Sequence, residues 1–134
     1  MSRSWQLLRS HWPQPSHAVG YSLLPGTSLA IVVCHGHPSI SHSMKQVFEL
    51  LTQAEWRPNF DVIADLSCAE GPARMVVAYL VAHRDYFTGK LAIIAPDDAR
   101  EDVMQSLGNL PAQRMAQVRV FATADAVRPW LGCS

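Results

Sequence analysis

Cys34, His35, His37 and His42 fall within nine residues. Thiolate and imidazole both suit zinc, and Cys34-x-x-His37 is a workable ligand spacing. Alternation in an extended chain nevertheless sends Cys34 and His35 to opposite sides. No second cysteine pair follows, and such spacings are common by chance. A polar loop leading into a helix cap accounts for the same residues. Cys68 is the other candidate, at a strand end and close to a helix start, where a thiol pKa can fall and the sulfur become nucleophilic. A cysteine enzyme also needs a base and an orienting third group. His83 lies about three turns down the following helix, with no obvious partner.

Asp65 closes a strand and either orients a ligand or bonds the loop amides that follow it, as Asp often does. Asp97-Asp98 offers two carboxylates to a cation, but acids at a helix start are favoured by the macrodipole alone. The chain has no P-loop, no Gly-x-Gly-x-x-Gly and no nucleophile elbow. No cofactor is implied, and no residue is assigned a catalytic or metal-binding role.

These residues must be held by one small domain. At 134 residues the chain can bury roughly two thirds of its unfolded surface without a metal or disulfide. It is 49% hydrophobic and 16% charged, and 11 Lys and Arg balance 11 Asp and Glu. That balance leaves no electrostatic footprint for nucleic acid and no basic cluster for an anionic membrane. Three cysteines, Cys34, Cys68 and Cys133, are an odd number at unrelated spacings, which points to free thiols in a reducing compartment. The longest apolar run, residues 75–82, falls far short of the roughly 18 residues of a membrane span. A cytoplasmic location is expected.

Residues 1–16 stand apart as an N-terminal extension, with Trp5, Leu7, Leu8 and Trp12 among Ser and Arg. They suit either a segment packed on the domain or a short partner-binding helix. The domain proper is expected over 17–134. Residues 18–24 and 28–34 form two extended runs joined by Pro25-Gly26-Thr27, which is turn chemistry. Ser39 and Ser41 are good N-caps. Met44, Val47, Phe48 and Leu51 then recur at helical spacing, predicting a helix to about Glu55. A strand over 60–66 ends on Asp65 and leads into a polar loop, 67–71. Residues 72–87 predict a second helix, apolar all round over 75–82, so either buried on every side or facing something apolar. Lys90 to Ala95 reads as a strand, and Pro96 opens a third helix. Pro111 to Met115 suits a short helical turn, 118–122 a last strand, and Thr123 caps a final helix containing Pro129. The order is β-β-α-β-α-β-α-β-α, an α/β fold with a five-stranded, mixed, mostly parallel sheet and about four helices.

In this order the chain resembles the STAS-like domains, specifically the SpoIIAA-like family related to anti-sigma-factor antagonists. The residues that carry the likeness are Val32-Val33-Cys34-His35-Gly36, the strand Asp61-Val62-Ile63-Ala64-Asp65-Leu66-Ser67, and Lys90-Leu91-Ala92-Ile93-Ile94. The fullest match is the C-terminal run Val118-Arg119-Val120-Phe121 followed by Ala126-Val127-Arg128-Pro129-Trp130-Leu131. The resemblance spans residues 18–131. It implies helices on one side of the sheet, and binding or regulation in place of catalysis, in some relatives of lipids or other apolar ligands. Phosphorylated members carry Asp-Ser-Ser-Gly at the helix start after the third strand. Here the region reads Ser67-Cys68-Ala69-Glu70-Gly71-Pro72-Ala73, with no serine at the helix start and Glu70 near where a phosphate would go. Ser67 is the nearest hydroxyl.

The leading expectation is a non-enzymatic STAS-like domain that binds an apolar small molecule, a lipid or a protein partner. Its surface would comprise Asp65, Ser67, Cys68, Val77, Tyr79, Leu80 and Tyr86, and the apolar second helix also offers a homodimer face. The alternatives are a phosphorylation-responsive regulator with Ser67 as acceptor, and a metal or thiol enzyme using Cys34, His37 and Cys68.

Overall fold

Residues 29–34, Leu-Ala-Ile-Val-Val-Cys, are apolar at odd and even positions alike. A short run of this kind suits a strand inside a sheet that is covered on both faces. A computed structural model describes residues 3–14, 19–24, 26–70, 82 and 87–134. Strand β2 (Leu29–Gly36) lies between β1 (Val19–Leu24) and β3 (Asp61–Ala69). Strands β4 (Leu91–Ile94) and β5 (Val118–Phe121) complete a five-stranded sheet in the order β1-β2-β3-β4-β5. The β1–β2 pair is antiparallel and the other three pairs are parallel, so the sheet is mixed and mostly parallel, as expected.

Five helices occur among the described residues: α1 (Trp5–Ser10), α2 (Ile40–Leu51), α3 (Asp97–Ser106), α4 (Ala112–Met115) and α5 (Ala124–Trp130). Ser39 caps α2 by accepting from the His42 N–H at 3.0 Å, and Thr123 caps α5 by accepting from the Ala126 N–H at 3.4 Å. The even-numbered residues of β2, Ala30, Val32 and Cys34, join Val47 and Leu50 of α2 and Val103 of α3 in one core. Adjacent parallel strands joined by right-handed crossovers place their helices on a common face.

The other face is also covered, contrary to the one-sided arrangement that the resemblance implies. Leu29, Ile31 and Val33 of β2 pack in a second core with Trp5 and Leu8 of α1 and Val127 of α5. A strand apolar on both sides needs two covers, and the two ends of the chain supply the second. The Arg3 side chain anchors them. Its Nε donates to the Thr27 carbonyl at 2.9 Å, and its Nη1 donates to Asp61 Oδ2 at 2.9 Å and to the Leu131 carbonyl at 3.0 Å. Arg3 and Cys133 form a parallel bridge, the Trp5 N–H donates to the Ser134 carbonyl at 3.0 Å, and the Ser134 N–H donates to the Arg3 carbonyl at 2.7 Å.

Two element ends differ from expectation. Helix α2 stops at Leu51, about a turn early, and the turn that follows swings Trp56 into the first core. There its ring meets Phe60 and Phe87 edge-on, at centroid distances of 5.5 and 5.2 Å. Strand β3 does not end at Asp65 but continues to Ala69, through residues read as loop. The expected second helix, 72–87, lies outside the described residues except for Ala82 and Phe87, both buried in the first core. Val77, Tyr79, Leu80 and Tyr86 are among those not described.

Candidate functional site

The parallel strands β2 and β3 end together beside the start of α2. In open α/β sheets ligands gather at such strand ends. Their register runs Val33 to Asp65 and then His35 to Cys68, so β3 holds one residue more than β2 across this step. The extra residue is a bulge, and it resets the alternation of side chains. Leu66 faces the first core, and so does Ala69 three residues later, a distance at which strict alternation would send it to the opposite face. Ser67 and Cys68 are left exposed, and Cys68 lies opposite the exposed His35.

Asp65 is the centre of a small network. Its Oδ1 accepts from the Ser67 N–H at 3.0 Å and from the Ser67 hydroxyl at 2.6 Å. Its Oδ2 accepts from the Trp12 indole N–H at 2.8 Å. One carboxylate thus braces the bulge in β3 and holds the N-terminal segment down at the same time. Trp12 itself packs edge-on against Trp5 and carries the Arg9 guanidinium 4.4 Å from its ring centroid. With three donors on its two oxygens, Asp65 acts here as a fixed acceptor.

The neighbouring loop adds two features. The Glu70 N–H donates to the Gly36 carbonyl at 2.9 Å, and His37 Nε2 meets Glu70 Oε2 at 3.0 Å. Both side chains are about two-thirds exposed, so the pair is a solvated one whose worth to stability is small. Ile40, the first residue of α2, stands 58% exposed at this end of the sheet.

Cys34, His37 and Cys68 do not come together as the metal-or-thiol alternative requires. Cys34 points into the first core and is fully buried, whereas His37 and Cys68 are exposed. Among the described residues no group of three His, Cys, Asp or Glu side chains could hold a metal ion. Burial pushes the Cys34 thiol from its ordinary 9.0 up to about 12, with the nearby Asp65 carboxylate adding to the effect. The buried sulfur is a protonated packing group.

That proton has a measurable consequence. Above pH 9 the unfolded chain gives it up while the folded chain retains it. The contribution of Cys34 is therefore intact below pH 9 and is lost as the pH rises toward about 12. The loss runs at no more than about 1.4 kcal/mol per pH unit. Urea unfolding of the wild type and Cys34→Ala, followed from neutral to strongly alkaline pH, should show a steeper decline for the wild type. Parallel declines would mean that the buried thiol ionises as readily as a free one.

The sequence placed Asp65 at a strand end with Ser67 and Cys68 in the loop after it; the structure keeps all three within β3, about its bulge. It also brings in Ile40, which the sequence did not single out, and Trp12, read as part of a separate extension, and it pairs His37 with Glu70. Trp12 carried a faint signal, since a semi-buried indole N–H seeks an acceptor. Asp97 and Asp98 open α3, where their charges face the helix dipole. No helix among the described residues is long and apolar enough to cross a membrane. No family model matches this chain, and no curated protein matches it.

Proposed function

We propose that the chain is a non-enzymatic, STAS-like regulatory domain that recognises a protein partner through the ends of strands β2 and β3. The observation that carries this reading is the bulge in β3, which presents Ser67 and Cys68 outward from the strand at the same end as the exposed Ile40. Ile40 would supply an apolar centre and Ser67, His37 and Glu70 a polar rim, the anatomy that interfaces share. The sequential sheet order, with one antiparallel edge, supports the STAS-like part of the reading. A photo-crosslinker attached at Cys68 in the producing cell tests it, with one at the exposed Leu7 as control. A discrete protein adduct at position 68, lost in Ile40→Asp and absent from position 7, is expected. Identical adducts at both positions, or none at position 68, would remove this surface. An apolar ligand in place of a protein would show as a small mass co-purifying with the domain.

A second reading, phosphorylation-responsive regulation, has its own observation. The Ser67 hydroxyl is exposed and sits 2.6 Å from Asp65 Oδ1. A phosphate there would face a carboxylate, with like-charge repulsion at short range. Asp65 would then turn away and release the Trp12 indole. Ser67→Asp should reproduce the effect: the indole N–H resonance of Trp12 is expected to move toward the position of a solvated tryptophan. An unmoved resonance would show that the two ends of the network are uncoupled.

A further inference from the structure

The opposite end of the sheet holds a cavity of about 550 Å³ between the end of α2 and the β1–β2 hairpin. Its volume lies in the range of small-molecule sites, roughly 300–1,000 Å³. Tyr21, Leu23 and Phe60 form an apolar wall, and Gln53, Glu55 and Ser28 bring polar groups to it. The Gln53 amide donates to the Tyr21 hydroxyl at 2.9 Å, which fixes the ring against the wall. Ser28 has φ 54°, the left-handed region that a non-glycine residue enters at a cost.

Among the described residues that line this cavity, Glu55 alone carries a charge. Helix α2 runs for 12 residues and has no basic residue in its last turn. The partial negative charge of its C-terminal carbonyls is therefore met by no cation of the helix, although the Thr52 hydroxyl and the Gln53 amide donate to the Glu49 carbonyl at 2.8 and 3.1 Å. Glu55, just beyond that end, is exposed and forms no ion pair among the described residues. Two cations of the described residues stand near without lining the cavity: Arg57, whose Nη1 donates to the carbonyls of Ala54 and Trp56 at 3.0 and 2.7 Å, and Arg3, whose Nη2 donates to the Ser28 carbonyl at 3.4 Å and whose charge is paired with Asp61. Aromatic faces add attraction for a cation wherever one lies within about 6 Å.

We infer that this cavity binds a small organic cation, with its aromatic or alkyl body on Tyr21, Leu23 and Phe60 and its ammonium group toward Glu55 and the end of α2. The site lies far from the strand-end surface, so the two stand or fall separately. Three probes of nearly equal size test it: 2-phenylethylammonium, 2-phenylethanol and phenylacetate, each titrated into the labelled protein and followed by NMR. Shifts should cluster at Tyr21, Gln53 and Phe60, with the ammonium binding about tenfold or more tighter than the alcohol and phenylacetate weakest. Glu55 is exposed, so Glu55→Gln leaves the fold intact and should bring the ammonium close to the alcohol. Glu55→Lys should go further, and unchanged circular dichroism confirms that both variants are folded. The inference is overturned if the alcohol matches the ammonium, if Glu55→Gln keeps the preference, or if none of the probes shifts these residues.

Discussion

Gly89→Ala is expected to destabilise the domain by about 3 kcal/mol or more, well above the cost of a typical substitution. A Cβ at this position would press into the Phe60 carbonyl and sit 2.8 Å from the Asn59 carbonyl oxygen. Both obstacles are backbone, and the backbone on each side is held. The Thr88 N–H donates to the Pro58 carbonyl at 2.9 Å, and the Val62 N–H donates to the Lys90 carbonyl at 2.8 Å. The Lys90 N–H donates to Asp61 Oδ1 at 2.8 Å, and Arg114 Nη1 donates to the Gly89 carbonyl at 2.7 Å. Neither side can retreat without giving up several of these bonds. Gly20→Ala is the natural control, because its Cβ would meet only the Pro13 side chain at an ordinary 3.7 Å. Urea unfolding of the two variants should separate them widely, and equal midpoints would mean that the Asn59–Phe60 backbone yields easily.

Arg3→Ala is expected to cost about 2–4 kcal/mol. The guanidinium joins three separated parts of the chain, and its loss strands an Asp61 oxygen together with the carbonyls of Thr27 and Leu131. Arg3 and Asp61 are both less than one-fifth exposed, so water replaces the lost partner only in part. Arg3→Lys should recover only a fraction, since a single ammonium cannot match the planar fork of donors. A double-mutant cycle with Asp61→Asn gives the share due to the ion pair. An Arg3→Ala protein as stable as the wild type would show that α1 and the C-terminal residues hold their places without the anchor.

The sheet was legible because its signals are local. The two-faced apolar run 29–34, the helix-capping Ser39 and Thr123, and the strands around Ile63 and Ile93 all follow from periodicity and caps. The expectation nevertheless had helices on one side of the sheet only, because nothing near the run 29–34 says that residues beyond 120 and before 10 form a second cover. The bulge was hidden for a different reason. One inserted residue shifts every later side chain to the opposite face, and Ser67-Cys68-Ala69 reads equally well as loop. At the site, the grouping of Asp65, Ser67 and Cys68 came from chain proximity. Trp12 reaches Asp65 across 53 positions, a contact without any local trace. Cys34 was a plausible ligand by spacing alone, and only its place in the packed interior removes it.

The joining of Arg3 to residues 131–134 also sets the order in which the molecule can be completed. A chain made from its N-terminus can pair β1 with β2 and pack α2 on them before residues 124–134 are made. Helix α1 precedes the sheet in the chain, yet Val127 and Leu131, which share its core, follow the sheet. Contacts that span nearly the whole chain carry the largest loop-closure cost and form late. Until residues 124–134 arrive, Ile31, Val33 and Ile63 have no complete cover. A chain not yet made to that point therefore carries an apolar sheet face that α1 and α5 must close together, and a ribosome pausing before it would leave this face open to other chains.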